Sequence, residues 1–248
     1  METAFAGISG AVIGSFLNVV VYRLPLGQSL VKPRSHCPSC QAPVAPRDNV
    51  PLLSWLFLRG RCRHCDEPIS ARYPAVELLT ALSFLALVLA RGNHPELIAL
   101  IPFTAVLIAV TFIDLQHKIV PNRIMGPAAV YGLATAAAFR TGQLPELLLA
   151  GAGAFTFFLL AALIHPKGMG MGDVKLAGVM GLYLGRLVVP ALLVAFVVGS
   201  AVGIGLVLRH GARSRRLGIP FAPFMALGGL VAMLAGQQLI DLYLDKLA

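Results

Sequence analysis

The chain has 248 residues, of which 57% are apolar and only 12% are charged, and its net charge is +9. This composition excludes an ordinary soluble domain and is typical of a protein that crosses a membrane several times and is surrounded by lipid. Positive charge can also indicate a nucleic-acid partner. Here the basic residues fall in loops between apolar segments, so we expect no nucleic-acid partner.

Eight apolar segments follow one another along the chain, and most approach the ~20 residues that cross the hydrocarbon layer as a helix. They are 3–22, 75–90, 97–113, 124–139, 147–164, 176–185, 187–208 and 217–240. Segment 176–185 is short, and its length alone does not establish that it spans completely. We predict an all-α polytopic membrane protein with about eight transmembrane helices.

The basic residues are distributed unevenly between the two sides of this predicted bundle. If all eight segments cross, sixteen of the twenty Lys and Arg residues lie on one side, and the others are Arg91, Arg140, Arg186 and Lys246. The positive-inside rule makes the basic side cytoplasmic, with both termini outside. Crossing by 176–185 also keeps the basic stretch from Arg209 to Arg216 on that side, so charge favours a full span.

All four cysteines lie in the polar segment that follows the first apolar segment, as the pairs Cys37/Cys40 and Cys62/Cys65. Each pair begins a C-x-x-C-x-x-P repeat, and twenty-one residues separate the pairs, which is close to the spacing of zinc knuckles. A reducing cytoplasm disfavours disulfides. We expect four thiolates to hold a structural Zn²⁺, although His36 or His64 could replace one ligand.

Two aspartates lie at the ends of apolar segments on the predicted cytoplasmic side. Asp114 ends the third segment, and Asp173 precedes the sixth within the sequence GMGD at 170–173. A carboxylate at a membrane boundary is costly and marks a candidate site, and paired acids can share one proton and activate water. We therefore predict an intramembrane aspartic protease. The alternatives are interfacial acids paired with Lys118 and Lys175, or a proton-coupled transporter, whose acids usually lie near mid-membrane.

Several motifs in chain order carry a resemblance to a known family. They read GSFLNVVVYRLP at 14–25, DNVPLLSW at 48–55, LRGRCR at 58–63, RYPAVE at 72–77, FIDL at 112–115, PN at 121–122 and GMGDVK at 170–175. Together with the cysteine pairs, they resemble the type IV prepilin peptidases, which are GxGD-type proteases of the bacterial inner membrane. The resemblance extends to about residue 185, and the last two segments match nothing distinctive.

The resemblance implies an activity and its residues. Members of this family remove the basic leader of prepilins and of type II secretion pseudopilins, and then methylate the new amino terminus with S-adenosylmethionine. Asp114 and Asp173 match the family's catalytic aspartates, and the four cysteines match its zinc-type cysteines. The predicted position of both acids at the cytoplasmic membrane edge suits a substrate with a cytoplasmic leader and an apolar helix in the bilayer.

The methyl-transfer site is marked less clearly than the peptidase site. An amine accepts a methyl group only when neutral, and an α-amino group with a pKa near ~8 needs a base nearby. Glu77 is the candidate base, and an interfacial acid paired with Arg72 is an equal alternative. The family's Gly-Lys dipeptide before the third cysteine is associated with methylation and reads Gly60-Arg61 here. Since Arg and Lys differ in hydrogen-bond geometry, a peptidase without methylation remains the alternative.

These patterns predict a first transmembrane helix at 1–22, a cytoplasmic zinc-binding and methyltransferase-associated domain at 23–73, and a transmembrane aspartic peptidase domain at 74–248. Helix dipoles favour an ionised Asp173 at a helix N-terminus as the base and Asp114 at a helix C-terminus as the acid. Trp55 is expected at the membrane interface. The pilin that is processed, the methyl-donor pocket and the oligomeric state are not encoded in any motif.

Overall fold

A computed structural model describes residues 2–92, 94–165, 169–210 and 218–245, without the side chains of 243 and 244. Within these ranges the regular elements are helices, and the only β-pairing is two isolated bridges in the cysteine segment. Residues Lys167, Arg213, Arg215, Arg216 and Lys246, which contributed to the predicted orientation, lie outside the described residues, as does residue 217. The predicted all-α architecture is confirmed.

Within the described residues, each of the eight apolar segments forms a helix, and a short ninth helix, α2, lies in the polar segment. The helices are α1 Glu2–Arg23, α2 Leu53–Phe57, α3 Arg72–Arg91, α4 Leu97–His117, α5 Asn122–Phe139, α6 Leu144–Ile164, α7 Met171–Leu184, α8 Val188–His210 and α9 Ala222–Leu244. Single 3₁₀ turns occur at Pro46–Asn49, Thr141–Gln143 and Gly185–Leu187.

Six stretches of the described chain are long and apolar enough to cross a membrane. They are Glu2–Arg23, Arg72–Arg91, Leu97–His117, Thr141–Ile164, Met171–His210 and Ala222–Leu242, and the fifth contains both α7 and α8. Helix α5 is absent from this set. Helix α7 has 14 residues, which at 1.5 Å per residue is about 21 Å, shorter than the ~30 Å hydrocarbon layer. The short sixth segment is therefore a real but short helix.

The chain divides into two compact units, and the first comprises Met1–Gly92. Its helices α1 and α3 run antiparallel in very close contact. A Cβ on Gly10 would lie 2.7 Å from the Cα of Ala81, and one on Gly14 would lie 2.7 Å from the Cα of Glu77. Glycines four residues apart thus let the two backbones meet, as in membrane helix pairs. This pairing fixes where α3 places Glu77.

The second unit, Asn93–Ala248, contains α4 to α9. Helix α7 lies at its centre, packed against α4, α5, α6 and α9, and most of its residues are buried. Its Tyr183 ring stacks on Phe103 of α4 with centroids 4.1 Å apart, and its hydroxyl donates to the Ala128 carbonyl of α5. Because neighbouring helices enclose α7, its short length leaves little backbone exposed to lipid.

Candidate functional site

Asp114 lies in the last turn of α4 and is only 5% exposed. The helix ends three residues later at His117. The next residue, Lys118, adopts a left-handed conformation (φ 53°), and its N–H donates to the Asp114 carbonyl. The Asp114 side chain is held by a different helix, since Oδ2 accepts the backbone N–H of Ala222, the first residue of α9, at 3.1 Å. A buried carboxylate is thus positioned by two helix ends.

Asp173 lies in the first turn of α7 and is partly buried. Its backbone N–H donates to the carbonyl of Gly170, the residue that precedes the helix. Gly172 packs directly on Val120 in the loop that follows α4, where a Cβ on the glycine would lie 2.8 Å from the Val120 Cβ. The glycine is therefore required for close backbone approach rather than for an unusual dihedral angle.

The two aspartate-bearing segments meet at the loop that follows α4 and at Asn122, the first residue of α5. Besides the contact of Gly172 with Val120, Lys175 of α7 donates from Nζ to Oδ1 of Asn122 at 2.7 Å. The GMGDVK segment thus docks on the residues that directly follow the Asp114 helix. The carboxyl groups of Asp114 and Asp173 are close enough for their charges to interact.

The lysines do not neutralise these acids directly. Lys175 is bound to Asn122, and Lys118 acts on Asp114 only through longer-range electrostatics. In the part of the chain that the structure describes, neither Asp114 nor Asp173 forms an ion pair with either lysine. The alternative interpretation, two interfacial acids each paired with a lysine, does not describe this arrangement.

The helix-end assignment of acid and base loses its basis in this geometry. Asp173 lies at a helix N-terminus as expected, but Asp114 faces the C-terminus of α4 and also the N-terminal N–H of α9. Both carboxyl groups therefore lie near a helix N-terminus, and the dipole argument no longer distinguishes them. The start of α9 could have been located from Pro223, because proline is favoured in the first helical turn.

The four cysteines form a compact cluster of free thiols, with all Sγ atoms within 4.8 Å of one another. The Sγ atoms of Cys37 and Cys65 are 3.7 Å apart, and those of Cys40 and Cys62 are 3.9 Å apart. A disulfide would require about 2.05 Å. A tetrahedral site with Zn–S bonds of about 2.3 Å places its sulfurs about 3.8 Å apart, so these residues fit a structural zinc ion.

The two cysteine loops repeat each other in backbone geometry as well as in sequence. In each loop the N–H of the first cysteine donates to the carbonyl five residues later, at 2.9 Å in both. The residue after the second cysteine has a left-handed φ in both loops, 60° at Gln41 and 56° at Asp66. The predicted repeat is therefore a pair of matching knuckles, each presenting two thiols.

The thiols differ in acidity because backbone hydrogen bonds, burial and neighbouring thiols act on them unequally. Hydrogen bonds from the backbone of Cys40 and Ser39 lower the pKa of Cys37 to about 6. The pKa of Cys65 rises to about 12, since a hydrogen bond from the backbone of Glu67 is outweighed by burial and by the neighbouring thiols. Four thiolates at this spacing repel one another unless a cation lies between them.

An ion pair joins the second knuckle to the segment before α2. Arg63 donates through Nε to both carboxylate oxygens of Asp48, at 3.1 and 2.9 Å, and through a terminal nitrogen to Oδ1. The Arg63 hydrogen bond holds the pKa of Asp48 below its usual range, and the same contact raises the pKa of Arg63. The bidentate geometry fixes the two parts of the cysteine segment relative to each other.

Glu77 is 8% exposed and is reached by the cysteine segment through α2. Its Oε2 accepts the N–H of Leu52, the residue that precedes α2, at 2.8 Å. One helical turn away, Asn18 of α1 donates from Nδ2 to the Tyr73 carbonyl. The Asn18 Oδ1 is buried and accepts no hydrogen bond from any described residue. From the sequence alone, Asn18 could serve the methyl-transfer site or only helix packing, and packing was the favoured interpretation.

Gly60 and Arg61 do not contact Glu77 directly but are connected to it through α2. Gly60 is buried with a left-handed φ of 67°, and a Cβ there would lie 2.9 Å from the Trp55 indole. The indole N–H of Trp55 donates to the Ile69 carbonyl at 3.1 Å. Gly60 therefore leaves room for the Trp55 indole and so helps to position α2. The Arg61 side chain is exposed.

Two family descriptions match the chain, one in each compact unit. The Bacterial Peptidase A24 N-terminal domain matches residues 8–91, which include the four cysteines and Glu77. The Type IV leader peptidase family matches residues 101–207, which include both aspartates. No solved structure matches the chain significantly.

Curated relatives agree with these matches over nearly the full chain. A prepilin leader peptidase/N-methyltransferase of Aeromonas hydrophila is 36% identical over 264 residues, covering 94% of this chain and 91% of the relative. An enzyme of the same name from Bacillus subtilis is 36% identical and covers 96% of both chains. One from Myxococcus xanthus is 39% identical over 86% of this chain and 65% of the relative. The chain therefore belongs to the type IV leader peptidase family, a family of aspartic peptidases.

Proposed function

We propose that this protein removes the leader peptides of type IV prepilins and type II secretion pseudopilins, with Asp114 and Asp173 as a catalytic dyad. The observation that carries the proposal is the docking of the Asp173 segment on the loop that directly follows Asp114. The substrate class is supported by relatives named prepilin leader peptidase/N-methyltransferase.

The proposed chemistry is direct hydrolysis of the peptide bond. One ionised carboxylate takes a proton from water, whose oxygen attacks the scissile carbonyl carbon, while the protonated carboxyl donates to the carbonyl oxygen. The carbon–nitrogen bond then breaks, and the leaving amine takes a proton from the dyad. The Ala222 N–H already donates to Oδ2 of Asp114, so Oδ1 is the oxygen proposed to face the reacting water. The two acids titrate as one coupled pair.

The proposed location is the cytoplasmic edge of the bacterial inner membrane. Asp114 and Asp173 lie at the ends of helices within apolar stretches long enough to cross a bilayer. The excess of Lys and Arg on the side that carries both aspartates supports a cytoplasmic placement. A substrate with its basic leader in the cytoplasm and its apolar helix in the bilayer presents its cleavage site at that level.

Segment 23–73 is proposed as a zinc-binding, methyltransferase-associated domain, between a membrane helix at 1–22 and a peptidase domain at 74–248. Cys37, Cys40, Cys62 and Cys65 would hold Zn²⁺ in a closed tetrahedral site, which leaves no position for substrate. The ion would supply rigidity to two knuckles that have little apolar core of their own.

Methylation of the new amino terminus is proposed to use Glu77 as the base. S-adenosylmethionine would supply the methyl group. The carboxyl oxygen of Glu77 that Leu52 does not occupy can accept a proton from the substrate ammonium, and the unpaired Oδ1 of Asn18 offers a second acceptor one turn away. Gly60 contributes by seating Trp55, and Arg61 follows it in an exposed position.

The test is to incubate the purified protein in lipid nanodiscs with a prepilin and methyl-labelled S-adenosylmethionine. We expect loss of the leader and transfer of the label to the shortened pilin. Glu77→Gln should keep cleavage and lose the label, whereas Glu67→Gln, a change at an exposed knuckle residue, should keep both. Cleavage without label in the unmodified protein would leave a peptidase alone, and an intact prepilin would overturn the proposal.

A further inference from the structure

Helix α2 exposes an apolar face although its other side is firmly packed. Leu53, Leu56 and Phe57, at positions i, i+3 and i+4, are 53%, 69% and 83% exposed. Residues with this spacing lie on one side of a helix. Their exposure therefore follows from the contacts that hold the opposite side of α2 in place.

The packed side of α2 fixes its orientation within the first unit. The buried Ser54 donates to the Arg47 carbonyl and accepts the N–H of Val50. Trp55 lies against Gly60 and donates to Ile69. With these contacts in place, the helix cannot rotate to bury Phe57 without breaking them.

The position of α2 along the axis of α3 is set by one hydrogen bond. The N–H of Leu52 donates to Oε2 of Glu77, which lies five residues after Arg72 at the start of α3. Five helical residues correspond to about 7.5 Å along the axis. Since α3 is long and apolar enough to span a membrane, the start of α2 is level with a point already inside that span.

Basic side chains follow the apolar face. Arg59 and Arg61 are both exposed and come directly after α2. An apolar helical face bordered by arginines suits the boundary between acyl chains and anionic headgroups, where arginine can extend toward phosphate.

We propose that α2 is an interfacial membrane anchor, with Leu53, Leu56 and Phe57 inserted into the lipid leaflet in which α3 begins. Lipid is the proposed occupant because α3 at this height lies within a stretch apolar enough to span a membrane, and Leu78 and Leu79, directly after Glu77, also expose apolar side chains. The anchor would hold the cysteine segment against the membrane surface, whatever reaction the protein catalyses.

Trp55 is the single tryptophan of the chain, which makes fluorescence a direct test. Phe57→Trp and Leu56→Trp are reconstituted separately in anionic vesicles, with or without lipids brominated near the headgroup, and the Trp55 signal of the parent protein is subtracted. We expect bromolipid to lower the added emission at least about twofold and aqueous iodide to leave it nearly unchanged. Ser39→Trp, at an exposed position in the first knuckle, should respond mainly to iodide.

Using two probe positions guards against a local disturbance by either substitution. Quenching of both α2 probes by iodide and not by bromolipid would overturn the proposal. So would protection that arises only when prepilin is added, which would indicate a peptide-docking face, or only at high protein density, which would indicate a second copy.

Discussion

The cysteine cluster draws its four thiols from two short loops of one polar segment, whereas the aspartate pair depends on three separate helices. Each cysteine loop closes with its own backbone hydrogen bonds. The Asp114 side chain is instead held by Ala222 of α9, and the Asp173 segment packs on Val120 in the loop after α4 and on Asn122 at the start of α5. The first site is encoded by local spacing and the second by helix packing, so they should respond differently to mutation.

The largest expected effect is in the local site. Cys37→Ser together with Cys65→Ser removes two of four thiolates, and we expect bound zinc to fall from one ion per chain to nearly none, because structural zinc binding is worth about 10 kcal/mol or more. Metal analysis of the purified protein measures this. Ser39→Ala, between two ligands, should keep the ion, and full zinc content in the double variant would show that the cluster is not the binding site.

The packing-dependent site should be most sensitive at Gly172. Gly172→Ala pushes a methyl group onto Val120, and we expect at least a tenfold loss of prepilin cleavage, since a displacement of roughly 1 Å can cost about 10²-fold. Val120→Gly in the same chain should restore part of the rate. Gly126→Ala is the matched control, because a Cβ there meets nothing within 4 Å. Unchanged cleavage in Gly172→Ala would mean that this contact does not position Asp173.

A smaller effect is expected from the polar contact beside it. Asn122→Ala leaves Lys175 without its acceptor, and hydrogen bonds to charged groups contribute about 1.5–3 kcal/mol. We expect a lower melting temperature and a cleavage rate reduced by about tenfold or less. Asn122→Asp keeps an acceptor oxygen and should stay close to the parent, and equal losses in both variants would contradict the assigned hydrogen bond.

The smallest effect concerns the Asp48–Arg63 ion pair of the cysteine segment. The folded pKa of Asp48 is depressed, so its stabilisation is fully present above the unfolded pKa of about 3.9 and is lost as pH falls through the folded value. Asp48→Asn should therefore release zinc slightly more readily than the parent. This difference between variant and parent should be equally small at pH 7 and at pH 5. A difference that disappears between pH 7 and pH 5 would exclude this origin.

Sequence patterns predicted the elements and the local cluster well, for a physical reason. Apolar runs dictate membrane helices, and the C-x-x-C-x-x-P repeat fixes ligand spacing within a few residues, so distant parts of the chain add little. The local sequence also indicated that the apolar segment 176–185 is short, and the corresponding helix α7 has only 14 residues.

Contacts between distant residues could not be predicted in this way. The N–H of Ala222 reaches Asp114 across 108 positions, and the dipole argument for acid and base, which considered α4 alone, could not include it. Gly60 was associated with methylation, but its visible contact is with Trp55, which packs within the cysteine segment. Such contacts depend on how helices pair, and apolar periodicity does not specify pairing.

The central claim is that Asp114 and Asp173 form one catalytic unit, and a double-mutant cycle on prepilin cleavage tests it most directly. Groups that act together show non-additive losses. We expect Asp114→Asn and Asp173→Asn each to abolish cleavage to the same background, with the double variant no slower than either. Asp241→Asn, at an exposed acid of α9, should cleave normally. Measurable residual cleavage in both single variants, with losses that multiply in the double variant, would contradict a shared site.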